Sequence, residues 1–378
     1  MAGDVILKPY ADRVRDGRDE RVYPYYDQFL AVKIHMPPVS EYNALALFHQ
    51  GNHAKLRALW ERHRDWRAAW NEAKSAAHID PTREWQRLLA HDVRLILCDD
   101  PNFPSALREI HDAPFALYTK GSFAFESPAV AVVGTRRATR EGARIAHDLA
   151  RALADRRIAV ISGLALGIDG AAHRGTLASR ARPTVAVLPC GLDRTYPPAH
   201  TGLAREIVAA GGALVSEYPF GTPSYPAHFL ERNRIVAGLA QATLVVEAPE
   251  RSGALVTARL ALEQNRDVLV VPGPIAHPNY AGSHGLIRQG AGLVTCAAHI
   301  CEALGLPDDP IPQKSPEADP ARTPAERAVL SALREAGTAL SLDAIAEAGH
   351  LEAARAAQAA AILTVHGIIT DTDGLYSL

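Results

Sequence analysis

Six short apolar runs punctuate the middle of the chain: Val130–Val133, Ala159–Ser162, Thr184–Leu188, Ala213–Ser216, Thr243–Glu247 and Val268–Val271. They are rich in β-branched residues and lack a clean apolar/polar alternation, the pattern of strands buried on both faces. Helical patterns separate them: Arg140–Asp155, Asp169–Ser179, Gly202–Ala210, Asn233–Ala240 and Gly253–Asn265. This alternation predicts βαβ units and a mostly parallel sheet. Ligands of such sheets bind beyond the carboxyl ends of the strands, so the turns that follow the apolar runs are where function is expected.

The flanks read differently. Residues 1–37 are polar and irregular, an N-terminal arm. Helical spacing from Glu41 to Asn71, and again from Pro81 through Trp85, Leu88 and Leu89, predicts a small helical domain over 38–92. Trp66 and Trp70 share one helix face. Such a pair can stack bases, but core packing is the plainer expectation. Val93–Cys98 reads as a strand, followed by a short helix at Ser105–Ile110 and an extended piece through Leu117 and Tyr118. The α/β core then runs over 93–305. Residues 306–321 hold five prolines and four acids, which marks a linker. Over 322–378 the pattern gives helices at Pro324–Ala336, Leu342–Glu347 (capped by Ser341) and Leu351–Val365, then two short strands joined at Thr372–Gly374. Three helices and a hairpin in so short a stretch suggest a winged-helix domain.

With 48% apolar and 22% charged residues, the 378-residue chain has the composition of a soluble protein. There is no apolar run of membrane-spanning length and no signal-peptide pattern in Met1–Tyr26. Cys98, Cys190, Cys296 and Cys301 lack metal or redox spacing and read as reduced thiols of a cytoplasmic protein. Charge is unevenly spread. Residues 128–305 hold 18 basic side chains, all arginine, against 13 acids, while 322–378 hold 4 against 7. Arginine is the residue suited to bidentate phosphate contacts, so the core admits an anionic partner. The acidic C-terminal domain, with Glu352 and Arg355 on its longest helix, is not expected to grip duplex DNA.

At the strand ends the chemistry converges. The first strand runs into Gly134, Thr135, Arg136 and Arg137 before a helix, which reads as a phosphate seat where Gly134 would let a ligand approach the backbone. The second ends at Ser162 and Gly163, whose hydroxyl and small size face the same edge. Asp169 and His173, four apart on the next helix, read as a buried hydrogen-bonded pair rather than an acid–base couple. After the fourth strand, Phe229 could stack a base, with Arg232, Asn233 and Arg234 reaching phosphates. Ser252 and Gly253 open the helix after the fifth strand. The chain has no G-x-G-x-x-G, no P-loop, no nucleophile elbow, no H-E-x-x-H and no acidic cluster for two-metal chemistry. A binding module for nucleotide polymers therefore fits better than an enzyme, and neither cofactor nor metal is expected.

The strings GTRR, SGLALGIDGAAHRGTL, TVAVLPCGLDRTYP, SEYPFG, FLERNRIVAGLA, TLVVEAPERSGALVTARLALEQNRDVLVVPG and GLIRQGA, in this order, resemble the DNA-processing protein A (DprA/Smf) family. The resemblance is dense over 93–295 and looser in the flanking domains. It implies an extended Rossmann-like core, a small SAM-like helical domain before it and a winged helix after it. It also implies a non-enzymatic homodimer that binds single-stranded DNA in natural transformation, protects it and helps load the RecA recombinase. The implied pocket consists of Gly134, Thr135, Arg136, Ser162, Gly163, Phe229, Arg232, Asn233, Arg234, Ser252 and Gly253. Thr135 stands where the family usually has serine, and Leu230 where it commonly has proline. The alternative is a nucleotide-processing enzyme resembling nucleoside-monophosphate phosphoribohydrolases. Their P-G-G-x-G-T-x-x-E signature has no continuation after Pro272–Gly273–Pro274.

Overall fold

The computed structural model describes residues 38–122, 128–181, 184–308, 323–365, 368–372 and 374–377. The arm (1–37) and most of the linker lie outside them. The chain forms two compact units divided after Pro310.

In the first unit four helices lead: α1 (Val39–Phe48), α2 (His53–His63), α3 (Trp66–Ala77) and α4 (Pro81–Ala90). Asn52, Asp65 and Asp80 cap α2, α3 and α4 by accepting backbone N–H groups, which is why chain reversals fall at these polar residues. Trp66 and Trp70 are buried, and Trp66 packs against Tyr42, Trp60 and Phe115. The tryptophan stripe is core, with no ring face offered to a base. The same apolar cluster continues into sheet residues Tyr118, Ala186, Leu188 and Leu214, and the Tyr118 hydroxyl donates to Asn43 Oδ1 at 2.9 Å. The helical segment is thus seated on the sheet.

The sheet has nine strands: β1 (Val93–Leu97), β2 (Ala116–Gly121), β3 (Ala129–Val133), β4 (Ala159–Ser162), β5 (Thr184–Leu188), β6 (Ala213–Ser216), β7 (Ala242–Val245), β8 (Asp267–Val270) and β9 (Gly292–Leu293). Their spatial order is β1-β2-β6-β5-β4-β3-β7-β8-β9. From β6 to β9 all pairings are parallel, whereas β1 and β2 add antiparallel strands at the β6 edge. All five residues of β3 are buried. Ala129, Ala131 and Val133 enter one core cluster and Val130 and Val132 another, because successive side chains leave opposite faces and both faces are covered.

The connecting helices are α5 (Ser105–Arg108), α6 (Arg140–Ala154), α7 (Ile168–Ala178), α8 (Thr201–Ala209), α9 (Pro226–Gly238), α10 (Gly253–Glu263), α11 (Ala281–Arg288) and α12 (Ala297–Ala303). The helix expected at Asn233–Ala240 begins earlier, at Pro226. Proline occupies the first turn, where its missing N–H costs nothing and its φ is already helical. Phe229 and the three residues Arg232–Arg234 therefore sit on helix turns and point to different sides. The short elements β9, α11 and α12 were not anticipated.

The second unit holds α13 (Pro324–Ala336), α14 (Leu342–Ala348), α15 (Ala353–Val365) and a three-stranded antiparallel sheet ordered β10 (Leu340–Ser341), β12 (Leu375–Ser377), β11 (Thr370–Thr372). Thr323 and Ser341 cap α13 and α14, and Gly337 ends α13 at φ 62°. Val329, Leu330, Leu333, Ile345, Ala360, Leu363 and Ile369 form its own core.

Candidate functional site

The sheet reverses its winding at β3. The connection β3–α6–β4 moves one way across the sheet, and β6–α9–β7 returns to pair with β3 on its other side. Open α/β sheets leave a crevice at such a switch point. Here the turn after β3, the turn after β4 and helix α9 meet, with Arg136 on the Phe229 ring and Gly163 against the Arg232 guanidinium.

The turn after β3 is held from both sides. The Thr135 N–H donates to Glu247 O at 2.7 Å, and Thr135 O accepts from the Ile168 N–H at 3.3 Å. The Thr135 hydroxyl accepts the Arg137 N–H at 3.2 Å, closing the turn on itself. Beneath it the Glu247 carboxylate is fully buried. It receives the Thr139 N–H at 3.0 Å, the Thr139 hydroxyl, Asn279 Nδ2 at 3.1 Å and the Tyr280 hydroxyl at 3.0 Å. Thr139 in turn caps α6. A buried carboxylate with four donors fixes the start of α6 and so fixes Arg136 and Arg137 at its mouth.

Both of these arginines are exposed, and among the described residues no carboxylate pairs with either guanidinium. Arg136 Cζ lies 4.7 Å from the centre of the Phe229 ring, a cation–π stack that holds the fork in place without neutralising it. Tyr196, from the loop after β5, meets Phe229 with ring centres 5.1 Å apart at 71°. These groups reach the same rim from three different segments of the chain. The sequence reading missed Tyr196; the available signal was an aromatic beside Pro197 in a strand-end loop.

Other expected contacts turn inward and need correction. Gly134 is small because Ile168 of α7 packs against it, and a Cβ there would also crowd Glu247 O, so the close approach comes from within the protein. The Ser162 hydroxyl is buried and donates to Val132 O at 2.6 Å. Arg232 is buried with Nη1 donating to Val187 O at 2.9 Å, and its guanidinium fills the space a Gly163 side chain would need. Burial pushes its pKa down to about 10 despite the nearby Asp169. Arg234 is also buried, with Nη2 donating to both Glu217 oxygens at 2.6 and 2.8 Å. Burial works against its charge, and Glu217 more than offsets this, so its pKa stands above the ordinary value. Free forks for phosphate are therefore not what these two residues present. Asn233 is half-buried and donates weakly to Gly253 O at 3.5 Å. Ser252 caps α10 by accepting the Ala254 N–H, and a Cβ on exposed Gly253 would meet open space.

Asp169 and His173 do not bond each other. Asp169 accepts N–H groups of Gly163 at 3.1 Å and Ala165 at 3.3 Å, and burial raises its pKa despite Arg232. The Thr184 hydroxyl donates to Val160 O at 2.9 Å, so His173 Nδ1 carries the proton it shares with Thr184 Oγ1 at 2.8 Å. Burial, aided by His200, pushes the His173 pKa down to about 3. His173 is a neutral core residue. Among the described residues no group of three or more His, Cys, Asp or Glu is placed to hold a metal, and no helix is long and apolar enough to cross a membrane.

A separate cleft of about 940 Å³ lies between the α1–α2 turn, α9 and α10. Its basic residues Lys55, Arg234 and Arg259 are matched by Asp112, Glu217 and Glu231, so it does not select a polyanion.

The family model described as "DNA recombination-mediator protein A" matches residues 94–305. The chain is 45% identical over 222 residues to Protein Smf of Escherichia coli, covering 57% of this chain and 59% of that protein. It is 40% identical over 329 residues to a putative DNA processing protein DprA of Mycobacterium tuberculosis, covering 80% of this chain and 83% of that one. A solved structure of DNA processing protein A from Helicobacter pylori, described for its unique single-stranded DNA binding mode, matches with TM-score 0.50 and 28% identity over 56% of this chain and 95% of its own.

Proposed function

Because the chain belongs to the DNA recombination-mediator protein A family, we propose that it binds single-stranded DNA as a recombination mediator in natural transformation, shielding the incoming strand and helping to load the RecA recombinase. The observation that carries this reading is the exposed Arg136 guanidinium stacked on Phe229 at the switch point of the sheet. A fixed cation beside aromatic rings suits a polymer of phosphates and bases. The phosphate supplies charge and the rings accept any base, so binding is salt-sensitive and largely sequence-independent.

In this reading Arg136 and Arg137 meet phosphates. Glu247, Thr139 and Thr135 position them, and Arg232 and Asp169 brace the second turn from below. Ser162, Gly163 and Gly134 serve the packing of the seat, while Asn233, Ser252 and Gly253 line its α10 side. The protein acts as a binder and not an enzyme, a reading supported by the engagement of Asp169 with backbone N–H groups and by the neutral, buried state of His173. The core is Rossmann-like in its switch-point winding, and the C-terminal unit is a winged helix in its order of helices and three-stranded sheet. Action as a homodimer in the cytoplasm completes the proposal.

The test is fluorescence-anisotropy titration of a labelled oligo-dT of about 30 nucleotides and of the matching duplex, at two salt concentrations, with wild type and Arg136→Ala. Tight single-strand binding, weaker duplex binding and a large loss in the variant are expected. Equal affinity for both substrates, or an unaffected variant, would overturn the site assignment.

A further inference from the structure

The carboxyl-end rim leaves large apolar side chains in water. Leu166 after β4 and Tyr196 after β5 are 45% and 37% exposed. Folding gains nothing from leaving the Tyr196 ring in water next to the ring on which the Arg136 guanidinium is stacked. Of these two, Tyr196 is the one that touches the Arg136–Phe229 stack.

The division of labour among the three groups follows from geometry. The Phe229 face beneath Arg136 is already occupied, with the guanidinium carbon 4.7 Å from the ring centre. A nucleobase stacking there would have to displace the cation that binds its phosphate. Tyr196 stands at 71° to Phe229, so the two rings are not stacked on one another, and Tyr196 keeps exposed ring surface. Its loop is pinned on both sides. Gly191 N–H donates to Thr222 O at 3.0 Å, Asp193 Oδ1 accepts Gly221 N–H at 3.0 Å, and His200 Nδ1–H donates to Leu164 O at 2.8 Å. A ring held on a pinned loop loses little freedom when a base stacks on it.

We propose that Tyr196 is a nucleobase-stacking residue and that Phe229 is a positioning residue, holding the Arg136 fork and the Tyr196 ring side by side so that one takes a phosphate and the other a base. The inference rests on the single-strand-binding reading above and names the base contact within it.

The experiment compares two labelled strands of equal length, oligo-dT and an abasic strand that keeps the phosphates and lacks the bases. Tyr196→Ala is expected to bind oligo-dT about 10-fold more weakly and the abasic strand as wild type does. Tyr196→Phe, which keeps the ring, restores oligo-dT binding. Arg136→Ala weakens both strands, and so does Phe229→Leu, because it releases the guanidinium. Circular dichroism melts confirm that each variant is folded. Unchanged oligo-dT binding by Tyr196→Ala, or an equal loss on both strands, would overturn the stacking role while leaving DNA binding intact. Failure of the wild type to bind either strand would instead overturn the DNA-binding reading and this inference with it.

Discussion

The turn after β3 and the helix α9 use arginine in opposite ways. Arg136 and Arg137 stand in water, one of them stacked on a ring. Arg232 and Arg234, on the helix that supplies that ring, are buried against Asp169, Val187 and Glu217. The residue type is the same and the rim is the same. What differs is whether a carboxylate has been buried to meet the charge. Glu217, 6% exposed directly after β6, claims Arg234, and no such acid lies beside Arg136 among the described residues. A cation already engaged inside the fold braces the site, and one left in water at its mouth serves a ligand.

The sharpest way to break this contrast is to remove one member of the buried pair. Arg234→Met leaves the Glu217 carboxylate buried with only the His53 ring, Nε2 at 3.9 Å, beside it, and should cost about 3–5 kcal/mol of stability in a denaturant melt. The double variant Arg234→Met with Glu217→Met should recover most of that loss. Single-strand affinity per folded molecule should barely change. A large affinity loss with unchanged stability would mean that Arg234 serves the ligand after all.

The mirror-image variant is Arg136→Ala. It removes an exposed side chain, so the melt should not move. Without this charge-assisted hydrogen bond to the strand, single-strand binding should weaken by about 2 kcal/mol, roughly 30-fold, at low salt. The salt slope of log K should also become shallower by about 0.7 for each phosphate that is no longer neutralised.

These two variants also mark what could be read from residues alone. The six core strands agree with the apolar runs to within about two residues at each end, because a strand buried on both faces needs an uninterrupted apolar run and little else in the chain supplies one. The glycines were recognisable as sites of close approach, but not what approaches: Ile168 at Gly134 and the Arg232 guanidinium at Gly163. Direction was the missing variable for the Arg232–Arg234 segment. With the helix starting at Pro226, Phe229 faces Arg136 while Arg234 faces Glu217. Pro226, placed to open a helix, and Glu217, an acid in an otherwise apolar strand end, were the signals that would have turned it. The short elements β9, α11 and α12 carry too few residues to show a period.

Titration separates the buried layer from the rim a third time. His173 stays neutral in the folded protein down to about pH 3, while the unfolded chain takes up its proton near the ordinary histidine value of 6.5. Between these limits the unfolded state binds more protons, so stability falls as pH drops, by up to about 1.4 kcal/mol per unit from this group. Asp169 works the other way at lower pH, since its raised value means that the folded state takes up a proton first. His173→Gln isolates the histidine contribution. Its stability should decline less than that of wild type between pH 6.5 and 5, the span in which the two curves should converge. Parallel curves would show that His173 can be protonated in place.

The smallest effect tests the contrast at the scale of whole units. The C-terminal unit forms its own core, and its last helix, α15, carries Arg355 among alanines, with Glu352 just before it. Over residues 322–378 the charge is net acidic, with 7 acids against 4 basic side chains. If single-strand binding depends on unpaired cations beside aromatic rings, this unit adds nothing to it, and its acidic surface repels phosphates only within a Debye length. A chain ending at residue 308 should therefore bind oligo-dT within about 2-fold of the full protein, with the same salt slope. A loss of 10-fold or more, accompanied by a shallower slope, would move phosphate contacts into the C-terminal unit. The rule drawn from the two pairs of arginines would then hold for the sheet rim and not for the whole chain.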